Sequence, residues 1–311
     1  MYKSASIILI FLFSIPFAKA QSPAVHQYKD HVFPNVEVKS DLSYNSKATA
    51  DDKVSYLFDL YQPKGDHSAA RPLIIWMHGG GFKYGSKTAK GIKIWSKDFA
   101  ERGYVCAAIN YRLSKKNPVF HFDELQKSCY YAVQDAKMAV NYFKEHHAEY
   151  GIDPNKIILA GNSAGGIIAL QAAYSSNAEL SRRTGVVDST ALLKPDDKAK
   201  IAGIINFWGG ILDFRWLKNA KVPIVSAYGS HDRILNPVRV DTGMYGSITI
   251  HKTADSLHIP NAVKVFDGFG HELQRHFNPF FDAGKPTQKR WLQAAQFAAD
   301  FYYDILFKKP E

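Results

Sequence analysis

The sequence predicts an α/β domain built on a mostly parallel sheet with helices on both faces. Three observations carry that expectation. Uninterrupted apolar runs of strand length, such as Pro72–Met77 and Ile157–Ala160, are suited to strands buried on both faces. They alternate with amphipathic segments of helical length, the pattern of a parallel sheet crossed by helices. At 311 residues the chain fits one large domain better than two small ones, and 46% hydrophobic against 22% charged residues excludes a disordered chain.

Residues 1–20 read as a secretory signal peptide: Lys3 gives a positive start, Ala5–Ala18 is too short to span a bilayer, and Ala18-Lys19-Ala20 is an A-x-A cleavage site. The expected organisation is a leader at 1–20 and one catalytic domain over 21–311, secreted or periplasmic, without stable membrane insertion. Loss of Lys3 and Lys19 takes the formal charge from +10 to +8. Lys and Arg never run longer than two, so the basic balance reads as a solvated surface, not as a nucleic-acid site. Cys106 and Cys129 are too few for a disulfide scaffold and are expected as buried free thiols.

Residues 21–30 are polar and expected to fray. Stretches around Val36–Val38 and Val54–Tyr61 read as an antiparallel hairpin at a sheet edge, closed by the Pro63–Asp66 turn. The run Pro72–Met77 then empties into His78-Gly79-Gly80-Gly81-Phe82. Glycines there allow bare backbone amides to converge on one spot and a substrate carbonyl to approach closely, which is what an oxyanion hole requires; a flexible surface turn is the other reading. A helix is expected from a Gly85-Ser86 cap to about Arg102, a strand over Tyr104–Asn110, and a long amphipathic helix over Glu124–Tyr150 with Val133, Ala136, Val140 and Phe143 inward. Arg112 and Asp135 are placed to pair structurally at its base.

Ile157–Ala160 enters Gly161-Asn162-Ser163-Ala164-Gly165, and an apolar run of helical length leaves it. Ser163 therefore stands on a strand-to-helix corner too tight for side chains at Gly161 and Gly165, with a helix N-terminus behind its hydroxyl. After a polar stretch at Ser175–Lys200, strands are expected over Ile201–Trp208, Val222–Tyr228 and Ala262–Phe266, and helices over Gly246–Leu257 and Gln288–Phe307.

In such a sheet ligands lie beyond the carboxyl ends of the strands. A serine hydroxyl needs a base, and an imidazole serves at neutral pH when a buried carboxylate fixes its tautomer. The strand ends offer Asp232 after one strand and His271 after the last. Asp213, after the preceding strand, is the rival carboxylate, while Asp267 stands too close to His271 along the chain. His271 and His276 are five apart, on different helix faces, so no catalytic metal is expected. Phe82, Tyr84, Trp208, Phe214 and Trp216 flank the expected cleft. Core packing and substrate contact both stay open for them, with Phe82, Tyr84 and Trp208 as the substrate-binding candidates.

From about Leu57 onward the chain resembles an α/β-hydrolase of the carboxylesterase group that includes hormone-sensitive-lipase-like and bacterial acetyl or feruloyl esterases. The pieces that carry the resemblance are His78-Gly79-Gly80-Gly81-Phe82, Asn110-Tyr111-Arg112-Leu113, Gly161-Asn162-Ser163-Ala164-Gly165-Gly166, His231-Asp232 and Gly270-His271. The order Ser163, Asp232, His271 is the one used by that fold. The resemblance implies Ser163 as nucleophile, His271 as general base then acid, Asp232 as orienting carboxylate, and the amides of Gly80, Gly81 and Ala164 as oxyanion hole. Taken with the leader, the lack of a long apolar lid and the aromatic residues near the cleft, the resemblance implies a secreted serine esterase acting on short-chain or carbohydrate-linked acetyl or feruloyl esters; no cofactor is expected. Asn162 occupies a slot often acidic in that group. A serine peptidase of related fold and a catalytically silent binding protein are the alternatives.

Overall fold

In the computed structural model the described residues are 25–187, 199–237, 243–276 and 283–308. The expected leader and its cleavage site lie outside them. In chain order the elements are β1 (Val36–Ser43), β2 (Leu57–Pro63), β3 (Arg71–Met77), α1 (Lys90–Glu101), β4 (Val105–Ile109), α2 (Phe122–Glu145), the short α3 (His147–Tyr150), β5 (Ile152–Asn162), α4 (Ala164–Tyr174), α5 (Asn177–Thr184), β6 (Gly203–Phe207), β7 (Ile224–Gly229), α6 (Ser247–Ser256), β8 (Asn261–Phe266) and α7 (Lys285–Leu306).

The strands form one eight-stranded sheet in the order β1-β2-β4-β3-β5-β6-β7-β8. β1 and β2 run antiparallel to their neighbours and β4 through β8 are parallel. The chain thus has the α/β-hydrolase fold. Its core is two layers divided by the sheet, and the apolar runs show why: Leu73, Ile75 and Met77 point into one layer while Ile74 and Trp76 point into the other. The same alternation holds for Ile157 and Leu159 against Ile158 and Ala160. Two-sided burial leaves no polar position in the runs Leu73–Met77 and Ile157–Ala160, the signature of a parallel sheet covered on both faces. α1 and α7 cover one face; α2, α4, α5 and α6 supply the buried residues of the other.

Several expectations change. The edge hairpin exists, but residues 53–56 form a 3-10 turn inside its connection, and the Pro63–Asp66 turn leads to β3 and does not close the hairpin. α1 begins at Lys90, not at Gly85-Ser86, because Lys87 is held by tertiary bonds: its amide donates to Asn110 Oδ1 at 2.6 Å and its ammonium pairs with Asp59 and Asp41 at 2.5 and 2.9 Å. The long helix stops at Glu145, where His146 leaves helical geometry, bonds through Nδ1 to the Tyr142 carbonyl and stacks on the Tyr142 ring. Residues 177–184 form α5 behind a Ser176/Glu179 capping box. Residues 25–33 are tied down: the amides of Tyr28 and Val32 donate to the carbonyls of Arg102 and Glu101. Cys106 and Cys129 are buried with free thiols. Among the described residues no helix is long and apolar enough to cross a membrane.

Candidate active site

Ser163 is the single residue between β5 and α4, at φ 51°, ψ −116°. A non-glycine residue held there stores on the order of 1–3 kcal/mol of backbone strain. The corner persists because its surroundings are tight. A Cβ on Gly165 would stand 2.0 Å from the carbonyl oxygen of Met77, and one on Gly161 would stand 2.5 Å from the backbone of Gly165. The Ser163 amide donates to Phe207 O at 2.9 Å, so β6 fixes the elbow from the other side.

The imidazole of His271 reaches both predicted partners. Nδ1 lies 2.8 Å from Asp232 Oδ2 and Nε2 lies 3.0 Å from Ser163 Oγ. A carboxylate only accepts, so the network assigns the proton to Nδ1 and leaves Nε2 as acceptor for the serine hydroxyl. Asp232 and His271 are both buried. The other oxygen of Asp232 accepts from the amides of Ile234 and Leu235 at 2.9 and 3.0 Å, which fixes the carboxylate plane.

Asp213, the rival carboxylate, is occupied elsewhere. It caps the 3-10 turn Phe214–Asn219 and forks onto Arg215, with Nη2 to Oδ2 at 2.5 Å. Asp267 accepts from Ser230 Oγ, and His276 is exposed.

The loop after β3 is arranged around its glycines. Gly80 and Gly81 lie at φ 108° and 59°, and the Gly80 carbonyl accepts from the amides of Lys83 and Tyr84. Among the described residues the amides of Gly80, Gly81 and Ala164 donate to no protein group. The Gly79 amide donates to Asn162 Oδ1 at 3.1 Å. His78 donates from Nδ1 to the Gly79 carbonyl at 2.7 Å, stacks on Tyr111 with centroids 4.3 Å apart, and receives the Tyr111 hydroxyl on its own carbonyl at 2.8 Å. Burial lowers the His78 imidazole to about 4. It is therefore a neutral brace, not a base.

Of the three substrate-binding candidates, Tyr84 is exposed. Phe82 and Trp208, at φ 62° and 42°, are buried, Phe82 against Tyr111 and Trp208 against Phe207 and Trp291, so burial favours the core packing that the sequence left open beside substrate contact. Trp216 is buried and Phe214 packs on Tyr245.

The sequence reading also missed the brace behind His271. Glu272 and Leu273 are consecutive left-handed residues at φ 55° and 58°. Their carbonyls accept from Trp291 Nε1 at 2.8 Å and from Arg290 Nε at 2.7 Å, while the Arg290 guanidinium lies 4.0 Å over the Phe269 ring. No local pattern signals a contact that joins the histidine turn to the second turn of a later helix. Burial pushes the Glu272 carboxyl above the usual carboxylate range.

A serine on a strained strand-to-helix corner, a tautomer-locked histidine and a loop of unengaged amides together define the serine-hydrolase class of the α/β-hydrolase fold. The chain belongs to the BD-FAE family, an esterase family, whose model matches residues 58–241. Among curated proteins it is similar to gut esterase 1 of Caenorhabditis elegans, 26% identical over 177 residues that cover 53% of this chain and 30% of the relative. It is similar also to arylacetamide deacetylase-like 3 of Homo sapiens, 36% identical over 111 residues that cover 35% of this chain and 24% of the relative. The matched part is less than a third of either relative's length. Among solved structures it superposes on Thermogutta terrifontis esterase 2 phosphorylated by paraoxon with a TM-score of 0.60 and 22% identity, covering 90% of this chain and 97% of that one. At that identity the likeness concerns the fold alone.

Proposed function

We propose that the protein is a carboxylic ester hydrolase working by acyl transfer on Ser163. The observation that carries this reading is the continuous chain Ser163 Oγ, His271 Nε2, His271 Nδ1, Asp232 Oδ2, with links of 3.0 and 2.8 Å. His271 takes the serine proton as Oγ attacks the ester carbonyl and returns it to the leaving alcohol. It then activates water for deacylation. The amides of Gly80, Gly81 and Ala164 receive the oxyanion; among the described residues they donate to no other group, and the last stands at the N-terminus of α4. Asp232 holds the tautomer and stabilises the imidazolium without becoming protonated.

The finer reading is an exported enzyme cleaving short acyl groups, with acetyl or feruloyl esters of carbohydrate as the substrate class and exposed Tyr84 at the cleft mouth. The A-x-A site at Ala18–Ala20 motivates the export. The family match and esterase relatives motivate the ester class.

The test is hydrolysis of p-nitrophenyl acetate, butyrate and decanoate by residues 21–311 and by Ser163→Ala, His271→Ala, Asp232→Asn and Asp213→Asn. The first three variants are expected to lose about a thousandfold or more and the fourth little. A Ser163→Ala variant as active as the wild type refutes the mechanism.

A further inference from the structure

A cleft of about 580 Å³ opens where β2 begins and β4 ends. Its walls are residues 51–55 of the β1–β2 connection, residues 112–116 after β4, and the first turns of α2. All three stand at the carboxyl edge of the parallel strands: β4 ends at Ile109, and the Asn110 amide donates to Leu57 O at 2.8 Å, which brings the start of β2 to the same level. β4 is two strands from β5, so its end lies about 10 Å sideways from the end of β5 at the usual strand spacing. The cleft is also wired to the glycine loop. The Ser114 amide donates to Phe82 O at 2.8 Å, and the Lys83 ammonium donates to the carbonyls of Ser114 and Lys115 at 3.2 and 3.0 Å.

The lining selects a ligand class. Three ammonium groups, from Lys115, Lys116 and Lys127, face three carboxylates, from Asp51, Asp52 and Glu124. Glu124 stands between Lys116 and Lys127 at 3.2 and 3.5 Å. Arg112, the remaining cation, is committed to Asp135 at 2.7 Å. The lining charges balance apart from Lys83, whose ammonium is bonded to the carbonyls of Ser114 and Lys115, so a polyanion finds little net attraction. Leu113 and Tyr131 are the sole apolar side chains of the lining, so an acyl chain would bury itself against charged groups at a desolvation cost. Alternating donors and acceptors suit vicinal hydroxyls, each of which gives and takes a hydrogen bond. Tyr131 adds a ring face: it is 44% exposed and held in place by the Arg112 guanidinium 5.2 Å from its centroid.

We propose that this cleft binds the alcohol side of the ester, as a neutral sugar unit next to the one esterified. The proposal rests on the esterase reading above and adds to it the place and the chemistry of leaving-group recognition. Tyr131 stacks on the apolar face of the ring, and Lys116, Glu124 and Asp52 bond its hydroxyls.

The experiment compares kcat/KM for partly O-acetylated xylo-oligosaccharides, O-acetylated oligogalacturonides and p-nitrophenyl acetate in the wild type, Tyr131→Ala and Lys116→Ala. The expected result is a fall of about tenfold in the ratio of the neutral oligosaccharide value to the p-nitrophenyl value for each variant, carried by KM. An unchanged ratio overturns the proposal. So does a wild-type preference for the oligogalacturonide that Lys116→Ala abolishes, because the cleft would then read charge. Calorimetric titration of Ser163→Ala with deacetylated xylo-oligosaccharide separates the two readings, since binding needs no catalysis. Binding that Tyr131→Ala abolishes supports the cleft even where no ester is cleaved, and absence of binding refutes it even where p-nitrophenyl acetate turns over.

Discussion

The side-chain oxygen of Asn162 accepts the amide hydrogen of Gly79 at 3.1 Å, which ties the residue before the serine to the loop that carries the unengaged amides. Asn162 is buried, and its neighbours on either side of the bond are the two elements that must agree in position for an acyl transfer. The slot needs an acceptor, and an amide oxygen serves as well as a carboxylate. We therefore expect Asn162→Asp to stay within about threefold of wild-type kcat and Asn162→Leu to lose about tenfold, the scale of one buried hydrogen bond. Steady-state kinetics on p-nitrophenyl acetate decides; equal losses for both variants would mean that the neutral amide group, and not the acceptor alone, matters.

Trp291 acts on the reaction from behind. Its indole donates to the carbonyl of left-handed Glu272, one residue past His271. Trp291→Phe keeps the ring and removes the donor, so kcat is expected to fall severalfold with KM unchanged. A rise in KM with constant kcat would place the effect in substrate binding and contradict the bracing role.

His78 makes stability depend on acid. Burial lowers its imidazole to about 4 from an ordinary 6.5, so between those values the unfolded chain binds more protons than the folded one. Stability is complete above about pH 6.5 and falls as pH drops toward 4, by up to about 1.4 kcal/mol per pH unit from this group. Urea midpoints across that window should flatten in His78→Gln relative to wild type. His251, also lowered by burial, keeps a remaining slope.

Gly165→Ala is expected to prevent folding or to cost at least about 4 kcal/mol, because the added carbon meets the Met77 backbone and not a movable side chain. Gly185→Ala is the control: φ is also positive, at 68°, but the space is open, and the cost should be about 1 kcal/mol. Thermal melts of both variants separate crowding from backbone strain.

What the sequence made legible follows from how each signal is encoded. Strands buried on both faces are written as contiguous apolar runs, so β3 could be read to within a residue and β5 only over its buried part, since its polar start at Ile152–Lys156 carries no such run. Ser163, Asp232 and His271 could be read because strand order and chain order coincide with the side chains' roles. The boundaries of α1 and α2 could not, since Lys87 and His146 leave helical geometry through bonds to residues distant in the chain or to a ring. Phe82 and Trp208 stayed undecided for a related reason: proximity to a glycine-rich corner places a ring near the cleft without saying whether it packs in the core, where both are buried. The cleft at Tyr131 had no linear signature, because its walls come from three segments up to 80 positions apart.

The two-layer core has an optical consequence. Of the five tryptophans, Trp76, Trp95, Trp208 and Trp291 lie in one layer, where Trp76 and Trp95 stack with centroids 5.5 Å apart and Trp208 and Trp291 stack 6.5 Å apart. Trp216 is alone in the other layer. Near-ultraviolet dichroism will thus be dominated by coupled indoles beneath α1 and α7, and intrinsic emission will report chiefly on the undocking of those two helices. A Trp216→Phe protein makes that readout nearly one-sided, so the opposite layer can loosen with little change in tryptophan emission.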